Sequence, residues 1–394
     1  MPKLLARRTE WGLLLAIGGV IALTAWLDRS HNYLNDPWTN AENILRQTTL
    51  LGIFALGSAV VIISGGIDLS CGSMIAFSGT ICASLLLWLA PERMQSTTEP
   101  LGIGVIALAI SGALVAGLLV GSLHAWLINV IGLPPFIATL ASLVGLRSLG
   151  RALIPQVTRA TLGRESNQIQ LFDEQFRYLA NSVWIPTVVF LFMALAIWFL
   201  LARTVMGRHL YALGGNEQAA RLSGIRTDRL KWLAYCIGAL CSSVAGIFYI
   251  AEQATADPQA LGVGYELNSI AAAVVGGCSL QGGIGTIPGT VLGALFLRTV
   301  IHGVGTVIKT GADNYEGAIV GILVVVAVAI SQLRTTTGQT KKFFAGALGA
   351  VVIATLTLVS AMLAGFLVGR NAALGTGATV AALLVLFKWF ESRR

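Results

Sequence analysis

The sequence predicts an all-α fold, a polytopic helical membrane bundle of about 12 segments. Three observations predict it. Of 394 residues, 55% are hydrophobic and 11% charged, with a mean hydropathy of +0.78, whereas soluble domains are about a quarter charged. The apolar residues also fall into long runs near the roughly 20 residues that a helix needs to cross a bilayer. Finally, runs such as 232–250 and 317–330 lack the alternation of a barrel strand, so their backbone groups must be satisfied within helices.

The first run, Trp11–Leu27, follows a start that carries Lys3, Arg7 and Arg8. It is long for the core of a signal peptide and no small-x-small site closes it, so it reads as a retained helix. Residues 28–43 are polar and suit an external loop. Segments at about 46–64 and 70–90 flank Gly65-Gly66-Ile67-Asp68-Leu69-Ser70. The run 101–131 is interrupted by Gly132-Leu133-Pro134-Pro135, and a fifth segment extends to about Leu153. After a mixed-charge loop at 154–182, segment 183–202 leads into a polar stretch, 203–231, and 232–251 follows it. Segments 266–280 and 287–308 flank the glycine-rich Gly276–Gly289, and 316–333, 343–367 and 372–390 complete the set. Within 101–153 and 266–290, full spans and re-entrant segments are both open readings.

An even count puts both termini on one side. The basic N-terminus, the 203–231 stretch, Arg334 with Lys341 and Lys342, and Lys388 with Arg393 and Arg394 all fall on that side, which the positive-inside rule makes the cytoplasm. The net charge of +8 therefore follows orientation; no basic stripe or aromatic platform points to nucleic acid. The five cysteines contain no CxxC and read as small, buried, unpaired residues.

The 203–231 stretch holds Arg203, Arg208, Arg221, Arg226, Arg229 and Lys231 against Glu217 and Asp228. Within it Asn216 is a good N-cap, Glu217 suits the positive end of a helix dipole, and Gly224 can terminate in the left-handed region. A helix of about two turns, Glu217–Ser223, is predicted, with Ala219 and Leu222 on one face. It is either a docking element for a peripheral partner or an amphipathic turn on anionic lipid headgroups.

Asp68 is an acid beside a membrane segment, a functional candidate by position. The more economical reading makes it the N-cap of the following helix, bonding an amide near Ser70 or Cys71. Gly65 and Gly66 allow a turn or a close helix approach. GGIDLSCG (65–72) and GGCSLQGG (276–283) echo one another, either as a repeat that puts broken helices at a transport path or as chance recurrence of glycine. Inside the spans stand His124, Arg147, Arg151, Arg298 and His302. Arg298 and His302 share a helix face; they line a hydrated path or hold carbonyls or an acid such as Glu316. No span carries an acid in its middle, which disfavours a proton relay. There is no Gly-Lys dipeptide, hence no phosphate loop, and no HExxH among four scattered histidines. Neither an ATP site, a metal site nor a catalytic constellation is predicted, so any ATP that drives this protein binds to another chain.

Three ordered stretches carry a resemblance. They are Leu45–Thr48 with Ile62–Ser70, Gly72 and Ser73; Gly207–Asn216 with Ala219–Ile225; and Ala271–Gly277 with Leu280, Gly282, Gly283, Gly285 and Gly289. Together the chain resembles the permease subunit of bacterial ABC monosaccharide importers of the ribose, xylose and galactose type. The resemblance implies a core of about ten spans over 1–333, a cytoplasmic coupling loop at 203–231 and an added C-terminal pair at 343–390. It makes Gly215, Asn216, Glu217, Ala219, Ala220, Arg221, Leu222, Ser223, Gly224 and Ile225 the coupling helix received by a cytoplasmic ATP-binding subunit, which holds ATP-Mg. It puts Gly65, Gly66, Asp68, Ser70, Gly72 and Ser73 near the translocation path, where Arg298 and His302 are further candidates. It also implies a permease homodimer in the lipid of the inner membrane and a periplasmic sugar-binding protein. The chain departs from the pattern at Cys71, where a small aliphatic residue is common, and in its added pair. The competing reading is an ion-coupled carrier of a small polar solute; the sugar itself is not legible.

Overall fold

The computed structural model describes residues 2–28, 32–95, 100–308, 313–335, 346–367 and 370–393. The predicted lysines at 341 and 342 and the terminal arginine at 394 lie outside the described residues. In chain order the helices are α1 (Pro2–Leu27), α2 (Asn32–Asn35), α3 (Pro37–Ile63), α4 (Cys71–Leu89), α5 (Pro91–Gln95), α6 (Ile103–Asn129), α7 (Pro135–Leu162), α8 (Glu174–Asn181), α9 (Trp184–Arg203), α10 (Val205–Gly215), α11 (Glu217–Leu222), α12 (Thr227–Gln253), α13 (Tyr265–Val275), α14 (Ile287–Val307), α15 (Asp313–Thr335), α16 (Gly346–Leu367) and α17 (Arg370–Arg393). A two-residue antiparallel pairing joins β1 (Ile169–Gln170) to β2 (Thr255–Ala256).

Each of the twelve apolar runs forms a helix. Among the described residues, eight helices are long and apolar enough to cross a membrane: α1, α3, α4, α6, α7, α9, α12 and α14. The helices α15, α16 and α17 carry shorter apolar stretches, Tyr315–Val326, Gly349–Leu358 and Leu374–Trp389. Of the two stretches the sequence leaves open, 101–153 contributes two long helices that turn at 130–134. The other is different. Helix α13 has 11 residues, about 16 Å at 1.5 Å per residue, half of the roughly 30 Å hydrocarbon core.

The chain divides into two compact units, Met1–Ser331 and Gln332–Arg394. In the second, α16 and α17 pack on each other with Gly377 set against Ala361. In the first, α3, α4 and α12 form the interior: 89%, 72% and 78% of their spans are buried, against 22–28% for α6, α7 and α9. The outer helices expose Ile103, Leu108, Phe192 and Leu195, apolar side chains suited to face hydrocarbon.

The end of the first unit that carries residues 204–226 is the near end below. There α3, α10 and the 276–286 loop meet backbone to backbone. Gly283 N–H donates to the Ile63 carbonyl at 2.9 Å, and the Tyr211 hydroxyl donates to the Gly285 carbonyl at 2.8 Å. Burial, with Cys278 nearby, pushes the Tyr211 phenol up to about 12, so it stays a donor at neutral pH. A Cβ at Gly214 would collide with the Ile63 carbonyl and lie 2.6 Å from Gly283 N, whereas one at Gly215 would meet nothing. Overpacking of this kind costs about 1–3 kcal/mol. Gly214→Ala is therefore expected to lower the melting temperature of the purified protein by several degrees and Gly215→Ala to leave it unchanged.

Candidate functional site

The path of the chain after α3 builds the site. Gly65, at φ +85°, reverses the backbone at the near end, a conformation that costs a residue with a Cβ. Residues 66–70 then run without regular structure, yet Gly66, Asp68 and Ser70 are buried. They climb beside α12: a Cβ on Gly66 would lie 2.5 Å from the Tyr235 hydroxyl, and one on Gly238 would lie 3.6 Å from Asp68 Oδ2. Gly238 is eleven residues after Thr227, about 16 Å along the helix, near the middle of the hydrocarbon core. Helix α4 begins there, at Cys71, and runs to the far end.

A second break enters from the far end. Residues 254–264 leave α12 beyond Gln253, and the Arg147 guanidinium holds them by donating to the carbonyls of Pro258 (3.0 Å) and Leu261 (2.9 Å). Half-helix α13 starts at Tyr265 and descends to the near end at Gly276. The breaks meet where Gly72 packs on the Gly262 carbonyl and the Glu266 carboxylate. Ser269 Oγ accepts from Ser58 Oγ at 3.0 Å and lies 3.3 Å from Cys71 Sγ. Beside it the Tyr265 ring stacks on Phe54, with centroids 5.8 Å apart and planes at 3°, and lies 5.0 Å from Tyr249. Irregular backbone at membrane depth survives only when protein covers it or it lines a hydrated cavity. Broken helices that enter from opposite sides and meet at mid-depth are how transporters build a substrate site.

Asp68 is not the N-cap of α4: that position is Ser70, which makes no side-chain cap bond, and Asp68 instead closes a turn onto Ser70 from two residues before it. Its Oδ1 accepts from Ser70 N–H (2.8 Å) and Ser70 Oγ (2.6 Å), and Ser73 Oγ donates to the Ser70 carbonyl at 2.8 Å. Its other oxygen faces Gly238 on α12. The interior is thus not free of acid, as the sequence positions suggest. Asp68, in the irregular stretch, and Glu266, in the first turn of the half-helix α13, stand at mid-depth because the breaks end there.

The echo between 65–72 and 276–283 holds at the helix ends: α3 and α13 both close on a glycine pair at the near end, with Gly65 and Gly277 at positive φ and the N–H groups of Gly66 and Cys278 bonding back to the carbonyls of Val61 and Ala273. Beyond these turns the first stretch leads into α4 and the second into α14. The structural counterpart of 66–70 is 254–264, marked in the sequence only by Asp257-Pro258 and by Gly262 and Gly264, both at positive φ. Arg298 and His302 serve helix contacts in this structure: Arg298 donates to Glu316 Oε1 at 3.1 Å, as does Asn268 at 3.0 Å, and His302 lies 2.9 Å from Asn40 Oδ1. Among the described residues neither bonds to the 65–73 stretch. Glu266, Arg147 and Tyr235 escaped the sequence reading as site residues, since nothing in a linear apolar run reveals which residues flank a break.

At the near end α11 spans Glu217–Leu222, one residue shorter than predicted. Asn216 Oδ1 accepts from Ala219 N–H at 3.0 Å. Gly224, at φ +79°, closes the helix as Ile225 N–H bonds back to the Ala220 carbonyl at 3.1 Å. Ala220 faces inward while Leu222 is 88% exposed, with Ala219 and Ser223 exposed beside it. The helix is tied to α12: Arg221 reaches Thr227 Oγ1 and Asp228, both at 3.3 Å, and Lys231 pairs with Glu217 at 2.6 Å.

Residues 40–328, which contain both breaks and α11, match the family model described as the permease component of branched-chain amino acid transport systems. The chain belongs to this permease family. The ribose import permease protein RbsC of Escherichia coli (strain K12) is 36% identical over 325 residues, 82% of this chain and 93% of that protein. The D-allose transport system permease protein AlsC of the same strain is 33% identical over 298 residues, 75% of this chain and 83% of its own. The xylose transport system permease protein XylH, from that strain also, is 31% identical over 319 residues, 67% of this chain and 78% of its own. No solved structure matches the chain. The permease is an integral membrane protein, and α16 and α17 lie beyond the family match.

The two roles of Asp68 separate by substitution. Removing the acceptor strands the buried Ser70 donors, at about 1–3 kcal/mol. In the purified permease, Asp68→Ala is expected to lower the melting temperature, and Asp68→Asn, which keeps an acceptor, to hold it near wild type. Equal losses in both would make the charge itself structural.

Proposed function

We propose that this permease is the membrane-spanning subunit of an ATP-driven monosaccharide importer. It works as a homodimer with a cytoplasmic ATP-binding subunit that hydrolyses ATP-Mg and a periplasmic sugar-binding protein. The observation that carries the reading is a family match that encloses both the crossed breaks and the exposed, capped helix α11. The relatives are named for ribose, D-allose and xylose, which supports an aldose as the cargo and lends nothing to an ion-coupled carrier.

The near end is the cytoplasmic one in this reading. Arg203, Arg208, Arg221, Arg226, Arg229 and Lys231 gather there, in keeping with the positive-inside rule, and both termini share that side. Helix α11 then faces the ATP-binding subunit, and the far end faces the sugar-binding protein. No covalent step occurs in this chain. ATP binding moves α11, the ion pairs to α12 pass the movement inward, and helix α4 and the half-helix α13 shift about their meeting point to expose a polar path to one side and then the other.

Of the residues proposed for docking, Arg221 already serves the attachment of α11 to α12, so its replacement mixes two effects. Leu222 does not. Leu222→Asp is expected to leave the melting temperature unchanged, abolish co-purification with the ATP-binding subunit and reduce ribose uptake in the assembled system by at least about tenfold, the loss typical of a buried contact residue. Retained co-purification and uptake would overturn the docking assignment.

A further inference from the structure

Outside the roles assigned above, one cluster of buried polar atoms stands unexplained. Tyr235 on α12 and His124 on α6 are each 1% exposed, and Asp68 is 5% exposed. The Tyr235 hydroxyl and both ring nitrogens of His124 are buried and have no hydrogen-bond partner among the described residues. They are close together: the two rings meet edge to face with centroids 6.1 Å apart. The hydroxyl rests against Gly66, two residues before Asp68, and Asp68 Oδ2 faces Gly238, about one turn beyond Tyr235 on α12. Their surroundings are apolar, with Val61, Ile128 and Ala138 packed around Tyr235.

Buried polar atoms are normally paired, with protein or with ordered water. In an apolar pocket of this kind a phenylalanine would fill the space of Tyr235 without stranding a hydroxyl. Two polar side chains from separate helices, beside the carboxylate of Asp68, supply the donors and acceptors that a buried water requires: the phenol donates, the imidazole offers hydrogen-bonding nitrogens, and Asp68 Oδ2 accepts. We propose that Tyr235 and His124 are positioning residues that clasp the first break by hydrogen bonds through buried water to Asp68, and that the clasp couples the break to helix α11.

The second half of the proposal rests on the docking role of α11. Tyr235 lies eight residues after Thr227, two turns along α12 from the point where Arg221 ties α11 to that helix. A displacement of α11 carries the start of α12 with it, and Tyr235 is the α12 side chain that rests on the 66–70 backbone. His124 reaches the same place from α6, which is bonded to α12 by Asn129 Nδ2 to the Asp228 carbonyl at 2.9 Å and by Trp232 Nε1 to Ser122 Oγ at 3.1 Å, so a displacement of α11 reaches the carboxylate through two helices fastened to each other.

The test is hydrogen exchange of the amides of residues 66–71 in the full-length permease in lipid nanodiscs, together with its melting temperature. Tyr235→Phe and His124→Leu are each expected to speed exchange about tenfold and to lower the melting temperature, as for loss of one stabilising link in a locally opening segment. The double variant is expected to do little more than either single one, because both act through one network. His124→Gln, which keeps a donor and an acceptor, is expected to recover most of the protection. If Tyr235→Phe leaves exchange unchanged and keeps or raises the melting temperature, as removal of a truly unpaired hydroxyl does, the clasp is overturned; so it is if the two singles multiply. Coupling is read separately, in proteoliposomes with the ATP-binding and sugar-binding subunits and labelled ribose. Tyr235→Phe is expected to lower uptake per ATP hydrolysed about tenfold, and an unchanged ratio overturns the coupling half. Failure of wild-type permease to bind the ATP-binding subunit would overturn the docking reading instead, and the exchange result would stand apart from it.

Discussion

A stretch of backbone that is not helical has no partners of its own in a bilayer, so protein must cover it wherever it does not line a hydrated cavity. That constraint governs the first unit. Residues 66–70 and 254–264 both enter the membrane without helical bonds. The helices around them, α3, α4 and α12, are consequently the most buried of the spans. The contacts are made by small residues, Gly57 on Gly238 and Gly79 near Gly246, because only missing side chains let helices close over a break. The polar atoms follow the same rule: Arg147 takes two carbonyls of the second break, Asp68 takes the Ser70 amide, and Thr139 donates to the Ile67 carbonyl at 3.3 Å.

Sequence and structure agree where physics acts locally. The apolar runs become helices because length and hydropathy suffice to define a span, and α11 is bounded by Asn216 and Gly224 because capping depends on a handful of adjacent residues. The breaks are another matter. Gly65-Gly66 marks the first, but depth is a tertiary property. A residue such as Asp68, between two runs in the sequence, reads as lying outside the membrane, and only the packing of 66–70 along α12 puts it beside Gly238. Glu266 is hidden for the same reason, since an 11-residue helix and the turn behind it look like one interrupted span. His124 was visible as a histidine in an apolar run, but its neighbours Asp68 and Tyr235 are 56 and 111 positions away in a sequence that offers no pattern linking them.

Charge misleads in the 203–231 stretch in an instructive way. Its basic residues read as a surface for a partner, yet Arg221 and Lys231 are used within the chain, on Asp228 and Glu217. Exposed ion pairs of this sort contribute little energy, but several of them across one short connection fix its geometry. What the surface offers a partner is Leu222, an apolar side chain 88% exposed on a helix held in place by charged neighbours.

The attachments of α11 also suggest how one movement acts on one place. Ion pairs from both the first residue of α11, Glu217, and from Arg221 bind it to α12, which carries Tyr235 and Gly238 to the inner part of the first break. On its N-terminal side Asn216 follows α10 directly, and Gly214 of α10 rests on the Ile63 carbonyl and Gly65, at the outer part of the same break. The two routes therefore reach the 64–70 segment at its two ends. If α11 tilts, it moves these contacts by different amounts, because one route is a long rigid helix and the other a short link that ends at a glycine turn. The result is a shear across residues 64–70 and not a translation of them. Gly65 can absorb such a change through its free φ, while Asp68, bonded to Ser70 at the start of α4, carries the rest into that helix. A continuous span would resist the same displacement along its whole hydrogen-bonded length. The break is thus the mechanical weak point, and it lies where the two routes from α11 converge.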